Sequence, residues 1–586
     1  MKATYIIATI FALIGLGIVI GCQDDDLATS ETSTTISADA QYMALSISMG
    51  TTSTRGGTGV GDLEYESGVG STENYIDASK SVLLFYDEAG GYLTYGTLTS
   101  NIGWTDAEQS AVDSSVLVSL TPVSVTPSYV LCVFNYGSSW QSDLVGKDYE
   151  VAKKVTTETI PSEAGEFVIS NAVINGSTTL SHLVGITSKN LCSTESEAQE
   201  NPVEVYVERE IAKVRIGLGS STSSTDGNVI KQSGNDIIAV VDTLTYRTYI
   251  STGDSVTTGD KVAVTVTIKG WSVNAQNPSG YVTKNYNESE NKFTNYPWYD
   301  SSNPYSLLWA VDANYTSDEG YTTGLEYLSW NDIAEGGCAD SLYIHENTAD
   351  YAWTSGYNSA DGDTVVTPAV VVAGELGIAY TDGSKTDKIT AETLYKCNGI
   401  LYDSLGIVQT LITNLGLYTD AGATKRFSVG NGLSSISFKR VSTDTNVNAY
   451  NAGRVVVAAC DSAASTTLYT SDGTQFTGEL ADTLNALSYI KSGDAYMLTR
   501  YVDNMCYYQA LIQQISSSQD SDDGPVYGVV RNNLYELTLN SISGLGNAVN
   551  DPDEDITTIP QEDNTFYMAC KVYILKWVSH SQTIDF

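Results

Sequence analysis

Gln41 to Gly50 reads QYMALSISMG, and its alternation sets the class of fold. Met43, Leu45, Ile47 and Met49 fall on one face and Ala44, Ser46 and Ser48 on the other, the period of two expected of a strand with one face turned to a core. The flank that follows, TTSTRGGTGVG (51–61), has no apolar run and carries four glycines, which predicts an exposed linker open to proteases. Arg55 within it is the first arginine of the chain, and the next is Arg209. A short apolar strand set apart by a polar linker with one trypsin-type site has the layout of a removable segment. An ordinary first strand followed by an ordinary loop fits the same letters.

Upstream, Lys2 precedes an apolar run from Tyr5 to Ile20 that ends in Val19-Ile20-Gly21-Cys22, similar to a bacterial lipobox. This predicts a lipoprotein signal peptide over 1–21, with Cys22 freed by cleavage and acylated on thiol and amine, palmitate included. It is an anchor rather than a retained membrane helix. Gln23 followed by Asp24, Asp25 and Asp26 resembles the acidic export tag of surface lipoproteins in Bacteroidota.

At 586 residues the chain exceeds one compact core, so two or more domains are expected. A net charge of −41, from 70 acidic and 29 basic residues, argues against nucleic acid as a partner, because neutralising phosphates needs clustered Lys and Arg. The 39 tyrosines and 50 glycines, with abundant Ser, Thr and Asn, suit an extracellular all-β protein with long loops. Beyond Cys22, cysteines stand singly at 132, 192, 338, 397, 460, 506 and 570, without a CxxC pair. Such spacing fits neither a zinc site nor a compact disulfide framework, and buried thiols are the expectation.

Strand patterns recur at SVLLFYDEAGGYLTYG (81–96), SVLVSLTPVSV (115–125), SYVLCVFNYG (128–137) and PVEVYVEREIAKVRIGLG (202–219). The polar run SSTSSTDGN (220–228) interrupts them and marks a domain boundary, after which DKVAVTVTIKGWSV (260–273) opens a second β-rich region. Two short helices are predicted in the second half, one through Leu401, Leu405, Val408, Leu411, Ile412 and Leu415, the other through Leu480, Leu484 and Leu487. At the far end, the acidic linker NDPDEDITTIPQEDN leads to FYMACKVYILKWVSHSQTIDF (566–586). There Cys570, Val572 and Ile574 alternate with Tyr573, Leu575 and Trp577, a strand of roughly ten residues, about 33 Å, hanging on a tether.

Catalytic signatures are lacking. His182, His345 and His580 are the only histidines and form no HExxH or HxH pattern, and no GxSxG or P-loop occurs. Gly56, Gly57, Gly59 and Gly61 sit in the linker, without the strand-turn-helix setting that phosphate binding needs. The acidic clusters Asp520-Asp522-Asp523 and Asp551-Asp553-Glu554-Asp555 match no complete Ca²⁺ loop and read as solvated linkers. No cofactor or metal is predicted, and no enzymatic activity.

Taken together, the signal ending at Cys22, the strand ending in TSTR at Arg55, SVLLFYD, VLCVFNYG, YVEREIAKVRIGLG with Arg209, Ala212 and Lys213, KGWSVNAQNPSGY (269–281), CYYQALI (506–512) and YGVVRNNLYELTLNSISGLG resemble the Bacteroidales fimbrillins. These are type V pilus subunits, and the likeness is strongest to the minor-fimbrium type of shaft subunit. The resemblance implies a mainly β fold of two tandem β-sandwich domains, transthyretin-like and Greek-key, with a few short helices and long loops. The implied segments are 1–21 signal peptide, 22–55 propeptide with the removable strand, 56–225 N-terminal domain and 226–586 C-terminal domain with a donor strand near 566–586.

The implied mechanism joins the two ends. A lipid-anchored outer-membrane precursor is cut after Arg55, before Gly56, by an arginine-specific surface protease, although family members often carry alanine where Gly56 and Gly57 stand. Loss of Met43, Leu45, Ile47 and Met49 opens a groove, which the strand bearing Cys570, Val572, Tyr573, Ile574, Leu575 and Trp577 of another copy fills. The product is a cell-surface filament supporting adhesion, biofilm formation and virulence, with accessory tip and anchor proteins and host or bacterial surface ligands as further partners. A tip or accessory adhesin on the same fold, binding glycan or host protein through Trp298, Trp309 and Trp330, is the second reading. A glycan-handling lipoprotein is the third.

Overall fold

A computed structural model describes residues 42–48, 71–103, 113–120, 125–172, 182–219, 230–253 except 234, 255–285, 311–316, 321–339 except 323, 341–347, 368–382, 392–450 except 445, 447 and 448, 452–515, 526–557, 567–575 and 581–583. Cys22, Met49, Arg55, Gly56, Trp298, Trp309, Trp577, His580 and the acidic cluster at 520–523 lie outside them, as does the boundary expected at 220–228. The architecture is mainly β.

The first sheet is built from β1 (Tyr42–Ser48), β2 (Val82–Tyr86), β3 (Tyr92–Leu98), β4 (Asp113–Leu120), β5 (Tyr129–Phe134), β6 (Ile169–Asn171), β7 (Val184–Gly185) and β8 (Val203–Arg209), with the short helix α1 (Glu195–Glu200) before β8. Their order is β2-β3-β4-β1-β8-β6-β5-β7, and a further pairing of β2 with β5 closes seven of them into a ring. Leu83, Phe85, Val130, Cys132 and Phe134 fill the ring's interior. The intervening Val82, Leu84, Tyr86, Leu131 and Val133 pack outward against Trp140, Leu144 and Tyr149. Burial on both faces explains why SVLLFY and VLCVF read as continuous apolar runs rather than alternating ones.

Two further sheets follow. In chain order their strands are β9 (Ile211–Leu218), β10 (Asp236–Arg247), β11 (Asp260–Asn274), β12 (Ser341–His345), β13 (Ala369–Tyr380), β14 (Thr393–Cys397) and β15 (Ile400–Tyr402). The ribbon strands β16 (Leu433–Arg440) and β17 (Val455–Ser462) come next, then β18 (Thr499–Val502), β19 (Met505–Leu511), β20 (Leu534–Ser543), β21 (Asn547–Ala548), β22 (Tyr567–Leu575) and β23 (Ser581–Thr583). One sheet runs β12-β9-β20-β22-β23 and the other β18-β14-β15-β10-β11-β13-β19-β21, with Lys231–Ser233 paired to β10. They share one core, in which Val214, Ile216, Leu537 and Leu539 meet Val264, Val266, Val370 and Val372, so the pair is a sandwich.

A separate core surrounds the helices α2 (Ser404–Leu415) and α3 (Leu480–Asn485), with Ile407, Leu411 and Leu484 against the β16–β17 ribbon. The first helix was expected from Leu401. It starts at Ser404, because Asp403 caps it by accepting from the Gly406 amide at 2.6 Å, and Gly416 at φ 67° ends it. Leu401 belongs instead to β15 and the sandwich core, and Leu405 is exposed. Helical spacing is cheap to satisfy over one turn, and the cap decides.

The chain passes between the two bodies at Glu210, so the stretch 202–219, expected as one strand, is β8 in the ring and β9 in the sandwich. The seam is charged and buried. Lys213 meets Glu73 at 2.7 Å, Lys284 meets Glu208 at 2.9 Å, His345 Nδ1 meets Glu210 at 2.9 Å, and Arg531 pairs with Glu346. Arg209 donates to the Glu73 carbonyl and to Asn532 Oδ1, at 3.2 and 3.0 Å. Burial opposes charge on His345, yet the Glu210 carboxylate and its hydrogen bond outweigh that and hold the ring above its ordinary value. His182, buried and near Arg531, is driven down to about 3, which keeps it neutral, and Tyr149 Oη lies 2.8 Å from its Nδ1.

Candidate functional site

β1 occupies the middle of the ring. It pairs antiparallel with β4 from Tyr42↔Ser119 to Ser48↔Asp113, and parallel with β8 from Leu45↔Val203 to Ser48↔Tyr206. Met43, Leu45 and Ile47 are each 0 % exposed in the ring interior, as their alternation predicts. Burial of this kind is worth about 1.5 to 3 kcal/mol per side chain.

The opposite face of β1 is also covered. Ala44 is 1 % exposed beneath Ala198 of α1 and Cys192, and Tyr42 exchanges two backbone hydrogen bonds with Cys192, at 3.0 and 2.9 Å. The Thr194 side chain accepts from the Glu197 amide and fixes the start of α1. This lid went unread in the sequence, since STESEAQE carries no apolar stripe. Its one pointer is Ala198, which is fully buried.

Without β1 the ring would be open between β4 and β8, which would stand about 10 Å apart, twice the strand spacing. Both edges would present unpaired N–H and C=O groups above an uncovered apolar floor. A slot of that width and chemistry accepts one extended strand.

The carboxyl-terminal strand does not hang free in this structure. β22 lies antiparallel along β20 of the same chain, from Leu534↔Leu575 to Ser543↔Tyr567 with an irregularity between Leu539 and Ser541. β23 pairs along its outer side. Cys570, Val572, Tyr573, Ile574 and Leu575 therefore belong to a strand paired at home.

The tether departs from expectation as well. Residues 551–556, read as a solvated acidic run, are strapped down by the Asn331 amide donating to the Pro552 carbonyl at 3.0 Å and the Ile556 amide to the Leu328 carbonyl at 2.9 Å. Asn331 Nδ2 reaches Asp553 at 2.7 Å, and Glu554 takes both Arg440 and Tyr450. The Arg440 guanidinium also lies 3.5 Å over the Tyr450 ring.

Other candidates carry little chemistry. Trp330 is half-buried and donates its indole N–H to the Cys506 carbonyl at 3.0 Å, so it packs rather than presents a face. Cys132, Cys192, Cys397, Cys460 and Cys506 are free and buried, and Cys338 is free and exposed. Burial pushes the Cys397 and Cys460 thiols up to about 11, away from the reactive thiolate. Among the described residues no cluster of His, Cys, Asp and Glu could hold a metal ion, and no helix is long and apolar enough to cross a membrane.

Comparison with known proteins bears on the tail. No curated protein matches the sequence. Among solved structures, the chain is similar to a fimbrilin from Porphyromonas gingivalis at 12 % identity, covering 93 % of this chain and 99 % of that one with a TM-score of 0.30. A tip fimbrial protein from the same organism, with a C-terminal truncation, gives 11 % identity, 92 % and 99 % coverage and a TM-score of 0.28. Residues 499–583, which run from β18 to β23, match the family model described as "Major fimbrial subunit protein type IV, Fimbrillin, C-terminal". By that match the carboxyl-terminal region of this chain, its last strands included, is of the fimbrillin type.

Proposed function

We propose that the chain is the structural shaft subunit of a cell-surface fimbria, exported as a lipoprotein on Cys22, clipped after Arg55 and polymerised by strand exchange. The observation that carries this reading is the position of β1, which fills a ring between β4 and β8 while preceding a linker whose one basic residue is Arg55. A strand so placed keeps the precursor soluble by occupying its own acceptor slot. Cutting the linker lets the strand leave without breaking the rest of the ring.

The donor is the strand after the tether of another copy, in a head-to-tail contact that does not close and so makes a filament. The fimbrillin-type match over 499–583 supports a subunit role for this region. Accessory tip and anchor proteins, an arginine-specific surface protease and surface ligands complete the proposed set of partners. Limited trypsin treatment of the purified precursor, followed by electron microscopy, tests the reading. Filaments after cleavage and none before are expected; clipped chain that stays monomeric would sink it.

A further inference from the structure

The chain has six methionines, and the order Tyr-Met-Ala occurs in two places only, Tyr42-Met43-Ala44 at the start of β1 and Tyr567-Met568-Ala569 at the start of β22. From these triplets the two segments run in step. Leu45 matches Cys570, Ser46 matches Lys571, Ile47 matches Val572, Ser48 matches Tyr573 and Met49 matches Ile574. Every inward position of the first segment has an apolar counterpart in the second.

We infer that the tail of one copy enters the slot of the next in this register and in the direction of β1, with Met568, Cys570, Val572 and Ile574 inward and Ala569 in the place of Ala44. The inference rests on the strand-exchange reading and adds to it which face enters and where each residue stops. Three constraints set the register. A slip by one residue would turn Lys571 and Tyr573 into the apolar interior. A slip by two would bring Tyr567 or Lys571 to the place of Ala44, which Ala198 and Cys192 leave 1 % exposed. Among the outward-alternating residues Tyr567, Ala569, Lys571, Tyr573 and Leu575, only Ala569 is small enough for that place.

The third constraint is charge. Ser46 is the register partner of Glu204 on β8, and Glu204 is exposed on the side of the sheet away from the interior. Lys571 in the place of Ser46 sets a cation beside that carboxylate, in a chain with 29 basic residues against 70 acidic ones. The next outward position puts Tyr573 beside Tyr206, the partner of Ser48.

Cysteine pairing between copies tests the register. Ser46 is opposite Ser115 on β4, so filaments grown from a mixture of clipped Ser115→Cys and Lys571→Cys chains are expected to form a disulfide-linked dimer under mild oxidation, above the background of unsubstituted chain. Filaments that instead link Ser115→Cys to Ala569→Cys or Tyr573→Cys, or that link to none of the three, overturn the register alone. Absence of filaments from clipped unsubstituted chain overturns strand exchange itself, and the register with it. A second variant uses the lid: Ala569→Trp should slow growth about ten- to a hundredfold by overpacking under α1, with the precursor as soluble as before. Growth at the unsubstituted rate would contradict it.

Discussion

Arg531 is fully buried against Glu346, and Lys284 against Glu208, so the junction between ring and sandwich is held by charges that have left water. Removing one member strands the other, and Arg531→Met is expected to cost about 3 to 5 kcal/mol, read from the urea midpoint. His345 adds a pH dependence of definite sign. Its folded-state value is raised, so its contribution is complete below the ordinary histidine range and is lost as pH rises through the raised value. Glu210, Glu346 and Arg531 are the charged groups acting on it. The midpoint of the wild-type chain should fall as pH goes from about 6 to about 9, and His345→Gln should remove that part of the fall. None of this was legible in sequence. A Glu or Lys in a strand pattern reads as solvated, and the partners come from residues 73, 208–213, 284, 345–346 and 531, which only the fold assembles.

Among the elements, β1 was readable because seven residues alternate cleanly, and the burial of its inner face, Met43, Leu45 and Ile47, follows from that, whereas the cover over Ala44 does not. Leu45→Ala in the precursor should loosen it by about 2 to 5 kcal/mol, seen as faster hydrogen exchange of β1 and β4 amides. The strap at 551–556 was misread because acidic runs are usually solvated, and its partners Asn331, Arg440 and Tyr450 lie more than a hundred residues away. Glu554→Ala should free it, giving new protease cleavage within 551–556 that the wild-type chain resists. With the strap in place, the ten residues 557–566 are what joins it to β22, a reach of at most about 33 to 36 Å. The home pairing of β22 on β20 was unreadable for another reason: a strand pattern names a face and leaves the partner open.

At the scale of the whole molecule, the two ends of the chain answer one another. On the proposed reading, β1 holds the slot until the linker is cut, and β22 leaves β20 to fill the slot of a neighbour. Because a copy cut after Arg55 still carries 65 acidic and 27 basic residues, a net charge of −38, growth should quicken as salt rises from about 0.05 to 0.5 M, which screens the repulsion between copies. Deleting 566–586 should end growth while leaving the ring and its plug intact. The most direct measurement is the amino-terminal sequence of the protein in filaments taken from the cell surface. The account predicts a start at Gly56, with the strand 41–50 gone. Filaments whose subunits still carry Tyr42 to Ser48 would contradict it.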